Sequence, residues 1–203
     1  MGRHAWLLLG KGPTFSRRHE FDLTKYRTFG LNHVASVQPV WITHVSDLDV
    51  LDQESVSRNS SFLVLPWYPH IDNRPGRRNL EDWASRRLDL RQRAQDGTLL
   101  YYNSSLARRR PHPKGLFITV RYFSAVAAVN LLAAVGVREI HTLGIDGGAQ
   151  YSQEFSRQTL LANGRASFDI QWKEIHKTTT KLHIAFRPLV RYLPQTCGKE
   201  SAV

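Results

Sequence analysis

Cysteine is nearly absent from this chain of 203 residues; Cys197 is the only one. A single thiol excludes an internal disulfide framework and any cysteine-rich metal centre. Long apolar runs are missing as well. No run approaches the ~20 residues of a membrane-crossing helix. Arg3 and His4 before a short apolar stretch superficially resemble a secretory signal, but Gly-Lys-Gly-Pro follows where a small-residue cleavage site belongs. The expectation is a cytoplasmic protein, with peripheral contact to the inner membrane face left open. The nine histidines form no H-E-x-x-H pair and no G-x-S-x-G elbow is present, so neither a zinc hydrolase nor a serine hydrolase is expected. Zinc-finger and RNA-recognition motifs are absent, and the basic clusters lack the aromatic interleaving of a single-strand binder.

Acidic residues are scarce. Seventeen Asp and Glu stand against 28 Lys and Arg, a formal net charge of +11. The excess is clustered at Arg17-Arg18, Arg74 to Arg78, Arg86-Arg87 and Arg108-Arg109-Arg110. Nucleic acid, an anionic membrane surface or an anionic substrate or glycan would each suit such clusters, as would plain solvation of exposed faces.

What is present reads as a doubly covered parallel sheet. Strand patterns fall at Ala5–Leu9, Arg27–Leu31, Val40–His44, Ser61–Leu65, Thr98–Tyr102, Leu116–Thr119 and Glu139–Leu143, with a closing strand in "LHIAFRP". Helices are expected at Leu80–Gln95 behind an Asn79 cap, at the almost wholly apolar Tyr122–Val135 ended by Gly136, and at Phe168–Leu182. Alternating strands and helices predict an α/β fold: a Rossmann-like, mostly parallel twisted sheet with helices on both faces. No repeat or linker divides residues 1–203, so a single nucleotide-binding domain is expected. Its irregular basic loops lie near residues 68–78 and 103–115.

Four segments carry candidate chemistry. In "WLLLGKGPTF" an interior strand breaks at Gly10 and Gly12 into a turn holding Pro13 and Thr14. Such a turn either cradles a phosphate on its N–H groups or is an ordinary strand-to-helix turn. In "TFGLNHV" Asn32 stands at the carboxyl end of the second strand, where parallel sheets bind ligands; it suits a ribose or base edge, or caps a loop. In "THVSDLDVLD" Asp47 and Asp49 suit Mg²⁺ beside a phosphate, or the N-cap of the next helix, a role open to Ser46 or Asp47. Finally, Arg121 and Ser124 open the apolar helix, and Gly144-Ile145-Asp146 with Tyr151 follows the next strand. A helix start bearing a serine and an arginine suits a phosphate, and Asp146 suits a ligand or a turn-stabilising bond.

In this order, the four segments resemble the Rossmann-like bacterial sialyltransferases that use CMP-sialic acid, and the related family containing the 6-hydroxymethylpterin pyrophosphokinases. The resemblance covers residues 5–15, 28–33 and 116–189. It implies that Gly10, Gly12, Pro13, Thr14, Asn32, Ser124, Gly144 and Tyr151 hold a nucleotide, with Asp146 and Arg121 in the chemistry. The sialyltransferases place a general base on a histidine shortly before the last helix. This chain has "LLANGRASFDIQ" there, without one. Arg165 stays protonated, which leaves Asp146, Asp169 or His176.

Three functions are therefore expected to compete. The first is a CMP-sugar glycosyltransferase needing no cofactor beyond its donor. The second is a Mg²⁺-dependent pyrophosphokinase or phosphoryl transferase, with Asp47 and Asp49 as metal ligands. The third is a non-catalytic nucleotide- or nucleic-acid-binding module.

Overall fold

The computed structural model describes residues 5–72, 74–105, 110–120, 124–158 and 166–191. Its centre is one eight-stranded sheet, built from β1 (Ala5–Leu9), β2 (Tyr26–Leu31), β3 (Val40–His44), β4 (Ser60–Pro66), β7 (Leu99–Ser104), β8 (Leu116–Ile118), β9 (Glu139–Leu143) and β10 (Ala185–Pro188). The order is β10-β9-β1-β2-β3-β4-β7-β8, and every pairing is parallel. The chain thus walks outward from β1 to one edge, then returns to β1's other side for β9 and β10. That reversal between β1 and β9 is the switch point of a Rossmann-like α/β fold.

The apolar run in β1 is explained by burial on both faces. Leu7 and Leu9 face Phe15, Val34, Val45, Leu63, Leu65 and Phe155. Leu8 faces the other way, onto Phe29, Leu31, Val64, Ile140 and the covering helices. Those helices are α4 (Ser124–Ala134) and α5 (Asp169–Lys181). Ala125 to Val129 of α4 are all buried, as its unbroken apolar stretch demands. The opposite face is covered by short pieces: 3-10 turns at Pro13–Glu20, Asn32–Ser36 and Leu48–Asp52, and the helices α1 (Glu54–Arg58), α2 (Leu80–Ala84) and α3 (Leu88–Gln95). No described helix is long and apolar enough to cross a membrane.

The single helix expected over Leu80–Gln95 is two. Asn79 does cap the first, in a reciprocal box with Asp82 (2.9 and 3.3 Å). The break follows at Ser85–Arg87, where Arg87 is extended and its guanidinium pairs with Asp52 and Asp89 at 2.8 and 3.1 Å. A continuous helix would carry Leu90 about 80° around the axis from Leu80; the break lets both reach the core.

The loop at residues 68–78 holds a small antiparallel hairpin, β5 (His70–Ile71) with β6 (Arg74–Pro75). In the 103–115 loop, Asn103 still belongs to β7. Its amide ties the loop down, donating to the carbonyls of His112 and Gly115 and accepting from His112 N–H, each at 2.8 Å.

Candidate functional site

The turns after β1 and β9 meet at the switch point and are fastened to each other. Gly10 N–H donates to the Leu143 carbonyl at 2.9 Å and Gly12 N–H to the Gly144 carbonyl at 2.8 Å. Thr14 gives its backbone N–H to Asp146 Oδ2 (2.7 Å) and its hydroxyl to Oδ1 (2.6 Å), while accepting from Gly144 N–H (2.7 Å). The approach is close enough to require glycine. A Cβ on Gly10 would lie 2.4 Å from the Gly144 carbonyl oxygen, and one on Gly12 2.6 Å from Asp146 Oδ2. Gly144 also has a φ of +71°, in the left-handed region.

This clasp changes the reading of the glycine turn. The N–H groups of Gly10, Gly12 and Thr14 are spent on the β9 turn, and Pro13 has none to give. They do not form the phosphate cradle expected from the sequence. Asp146 likewise has both oxygens engaged by Thr14, so its first role is to anchor the clasp. Burial raises its pKa, against the lowering effect of the Thr14 bonds.

Asn32 sits beside the clasp at the end of β2, with φ 51°, a left-handed conformation that Asn tolerates better than most residues. Its amide Nδ2 donates to Ser124 Oγ at 3.4 Å, at the start of α4. Ser124 Oγ in turn lies 3.2 Å from Ser46 Oγ, just beyond β3. The expected meeting of Asn32 and Ser124 is therefore present. Two polar atoms here are shielded from solvent and have no hydrogen-bond partner among the described residues: Asn32 Oδ1 and His33 Nδ1. Unpartnered buried polar atoms are costly in a folded chain and mark places where a ligand can supply the missing bond.

Lys11 completes this wall. Its ammonium donates to Gln158 Oε1 at 2.8 Å and lies 4.2 Å from the Tyr151 ring centroid. Burial lowers its pKa to about 8, which leaves it mostly charged at neutral pH. Burial, and then the Lys11 charge, bring His33 down to about 4, so its ring is neutral. Tyr151 thus lies at the site through Lys11, and it also packs on Phe168.

Behind Ser46 the polar side chains continue inward. His44 is fully buried, and its Nε2 meets the Tyr102 hydroxyl at 2.9 Å. Burial lowers the imidazole's pKa to about 3 and raises that of the phenol, with Ser46 acting as a hydrogen-bond partner of the phenol. Both groups stay neutral. His44 Nδ1 has no partner among the described residues. An orphaned lone pair costs less than an orphaned N–H, which favours the tautomer that donates from Nε2 to Tyr102. Ser46 also bonds the phenol oxygen, an interaction that favours the ionised form and opposes the effect of burial. Ser124 Oγ is thus met by Asn32 and by Ser46, and either serine can be the donor between them.

The remaining expected residues fall elsewhere. Asp47 stands at the N-cap position of the 48–52 turn without a side-chain cap bond. Asp49 is exposed and accepts from Asp72 N–H at 3.1 Å. Among the described residues, no group of three or more His, Cys, Asp or Glu is placed to hold a metal ion. Asp169 is tied to Gly148 N–H (2.9 Å) and Ser167 (2.7 Å) at the start of α5. His176 packs edge-on against Trp172 and Phe186. Arg121 and Arg165 lie outside the described residues. Sequence reading missed Lys11, His33 and Tyr102 as site residues. The first two adjoin residues already singled out, and only the sheet order brings Tyr102 near. No protein-family model, curated protein or solved structure matches the chain.

Proposed function

We propose that the protein is a glycosyltransferase using a CMP-activated sugar, sialyltransferase-like in its layout, with the nucleotide at the carboxyl ends of β1, β2, β3 and β9. The observation that carries this reading is the unpartnered pair Asn32 Oδ1 and His33 Nδ1 beside the Ser124 hydroxyl and the Lys11 ammonium. Together they offer acceptors, a hydroxyl and one cation at the carboxyl end of the sheet. Ribose and base edges need the former, and a phosphate needs the latter. The glycine turns shape the recess, and Lys11, Ser124 and Tyr151 supply its phosphate contacts.

The basic loops fit an anionic acceptor or membrane surface. Arg74, Arg77 and Arg78 make no ion pair among the described residues, whereas Arg87 is doubly paired. The hairpin that carries Arg74 is tied to the 48–52 turn, where Asp72 N–H donates to Asp49.

A thermal-shift panel of CMP, CDP, UMP, GMP and ATP, each with and without Mg²⁺, tests the reading, because a ligand specific to the folded state raises Tm by mass action. CMP is expected to stabilise selectively and without metal, and Asn32→Ala and Ser124→Ala to abolish the shift. A shift confined to ATP with Mg²⁺ would transfer the assignment to phosphoryl transfer. No shift with any nucleotide, together with strongly salt-dependent binding to nucleic acid, would favour the binding module.

A further inference from the structure

We propose that β8 is a docking edge for a second copy of this chain, the two copies joining their sheets by antiparallel pairing about Phe117. The strand ends the sheet order, with β7 on one side only. An open edge presents unpaired N–H and C=O groups, and folded chains normally guard it with charge, proline or a bulge. The opposite edge is guarded in this way, since β10 carries Arg187 and Pro188, both exposed. β8 has no such guard. From Leu116 to Val120 the chain reads Leu-Phe-Ile-Thr-Val, five residues of high strand propensity with no charge and no proline.

The register decides which backbone groups are free. Phe117 aligns with Asn103 and Ile118 with Ser104. Ser105 N–H donates to the Ile118 carbonyl at 3.0 Å, so Ile118 turns its backbone groups toward β7. Leu116 shares that direction, and the N–H and C=O of Phe117, between them, point to the free edge. The side chains follow the same division. Ile118 is buried in the cluster beneath α4, while Leu116, on the same face, is 44% exposed. Leu100 lies on that face one strand inward and is 39% exposed, and Phe117, on the other face, is 62% exposed.

This edge is complementary to itself. A two-fold axis beside Phe117 sets its N–H against the C=O of the partner's Phe117, and the reverse, which is the hydrogen-bonded pair of an antiparallel ladder. The two rings then pack as a cross-strand aromatic pair, and Leu116 falls opposite the partner's Ile118. Lys114, the charge that precedes the strand, falls opposite the partner's Val120, so no charge on this edge meets its own image. The chain as a whole carries a formal net charge of +11, and two copies repel. Pairing therefore rests on apolar contact and backbone bonds, and it strengthens as salt screens that repulsion.

Sedimentation velocity across a dilution series, with circular dichroism to follow the fold, compares the wild type with Phe117→Lys. The wild type should show a monomer–dimer equilibrium that shifts toward dimer as salt rises. Phe117→Lys, at an exposed position, should keep the fold and weaken the dimer about tenfold or more. Cross-linking reads the register. In a Cys197→Ser background, Phe117→Cys brings two thiols together across a pair with a Cα separation of about 5.5 Å, which a disulfide spans. Thr119→Cys leaves them four residues apart along the strands, about 13 Å, which a disulfide cannot span. Oxidised glutathione should therefore give a covalent dimer from the first variant and not from the second. A wild type that is monomeric at every concentration overturns the proposal, as does a dimer that Phe117→Lys leaves intact or that salt dissociates. Equal cross-linking at both positions overturns the register. Should Phe117→Lys fail to fold, the cross-linking pair decides.

Discussion

Replacing Thr14 by valine removes the hydroxyl at the centre of the clasp while keeping the shape of the side chain. Thr14 is 4% exposed, so no water takes its place freely. Two bonds are lost: one to Asp146 Oδ1 at 2.6 Å and one from Gly144 N–H at 2.7 Å. A hydrogen bond to a charged group contributes ~1.5–3 kcal/mol, and a buried N–H left without an acceptor costs ~1–3 kcal/mol. Because the two bonds share one atom and the loops can relax, the losses are not additive, and about 3–4 kcal/mol is expected. That is a large part of the ~5–15 kcal/mol that stabilises a typical domain. Guanidinium unfolding at pH 7 should show a lower midpoint with an unchanged m value.

The pH dependence sharpens the test. Burial raises the Asp146 pKa above its ordinary 3.8, and the two Thr14 bonds oppose the rise. A carboxyl raised in the folded state favours its protonated form. Its contribution is complete below the unfolded value and is lost as pH climbs through the folded one. Thr14→Val removes one opposing bond, so the folded value climbs further and the variant loses more stability at high pH. The gap between wild type and variant should be smaller at pH 4 than at pH 7. A loss under about 1 kcal/mol at pH 7, or a gap of equal size at both pH values, would refute the reasoning.

Gly12→Ala tests the close approach alone, because Gly12 has an ordinary φ of −66° and strain can come only from contact. With a Cβ 2.6 Å from Asp146 Oδ2 and 2.9 Å from the Gly144 carbonyl oxygen, a loss of about 2–3 kcal/mol is expected in the same unfolding assay. Tyr102→Phe leaves both nitrogens of the buried His44 ring without a partner. It should cost about 2 kcal/mol and weaken CMP binding, read by calorimetry, because the chain that orients Ser124 is cut. Changing Arg74, Arg77 and Arg78 together to serine should shorten retention on a heparin column while leaving CMP affinity intact, since these arginines make none of the bonds around Asn32, Ser124 and Lys11.

β1 and β4 were legible because each is an apolar run buried on both faces over most of its length. β1, β3 and β9 begin and end where the sequence pattern places them. The break between α2 and α3 was not legible. It depends on Arg87 reaching Asp52, 35 residues earlier, a pairing that no local pattern encodes. The β5–β6 hairpin has two residues per strand, too few for any periodicity. At the site, Asn32 and Ser124 could be read because each ends or opens an element at the sheet's carboxyl edge. The glycines could be seen but not explained, since their need comes from a backbone more than 130 residues away. Tyr102 gave no local sign at all. β7 pairs with β4, and β4 with β3, and only that order sets Tyr102 against His44.

The clasp also decides where a ligand can go. An open parallel sheet normally binds its ligand in the gap at the switch point, where successive connections leave toward opposite faces. Here that gap, between β1 and β9, is closed by the bonds from Gly10 to Leu143, Gly12 to Gly144 and Thr14 to Asp146. The unpartnered atoms lie one strand further along, at Asn32 and His33 beyond β2, next to Ser46 beyond β3. The glycine turn is therefore a wall of the recess and not its floor. Its only side chain with a free charge to offer is Lys11, which points away from the clasp toward Gln158 and Tyr151. It follows that substitutions in the clasp should act on ligand affinity through stability, whereas changes at Asn32, Ser124 or Lys11 should act on affinity directly. Measuring both quantities for the same set of variants separates the clasp from the groups that meet the ligand.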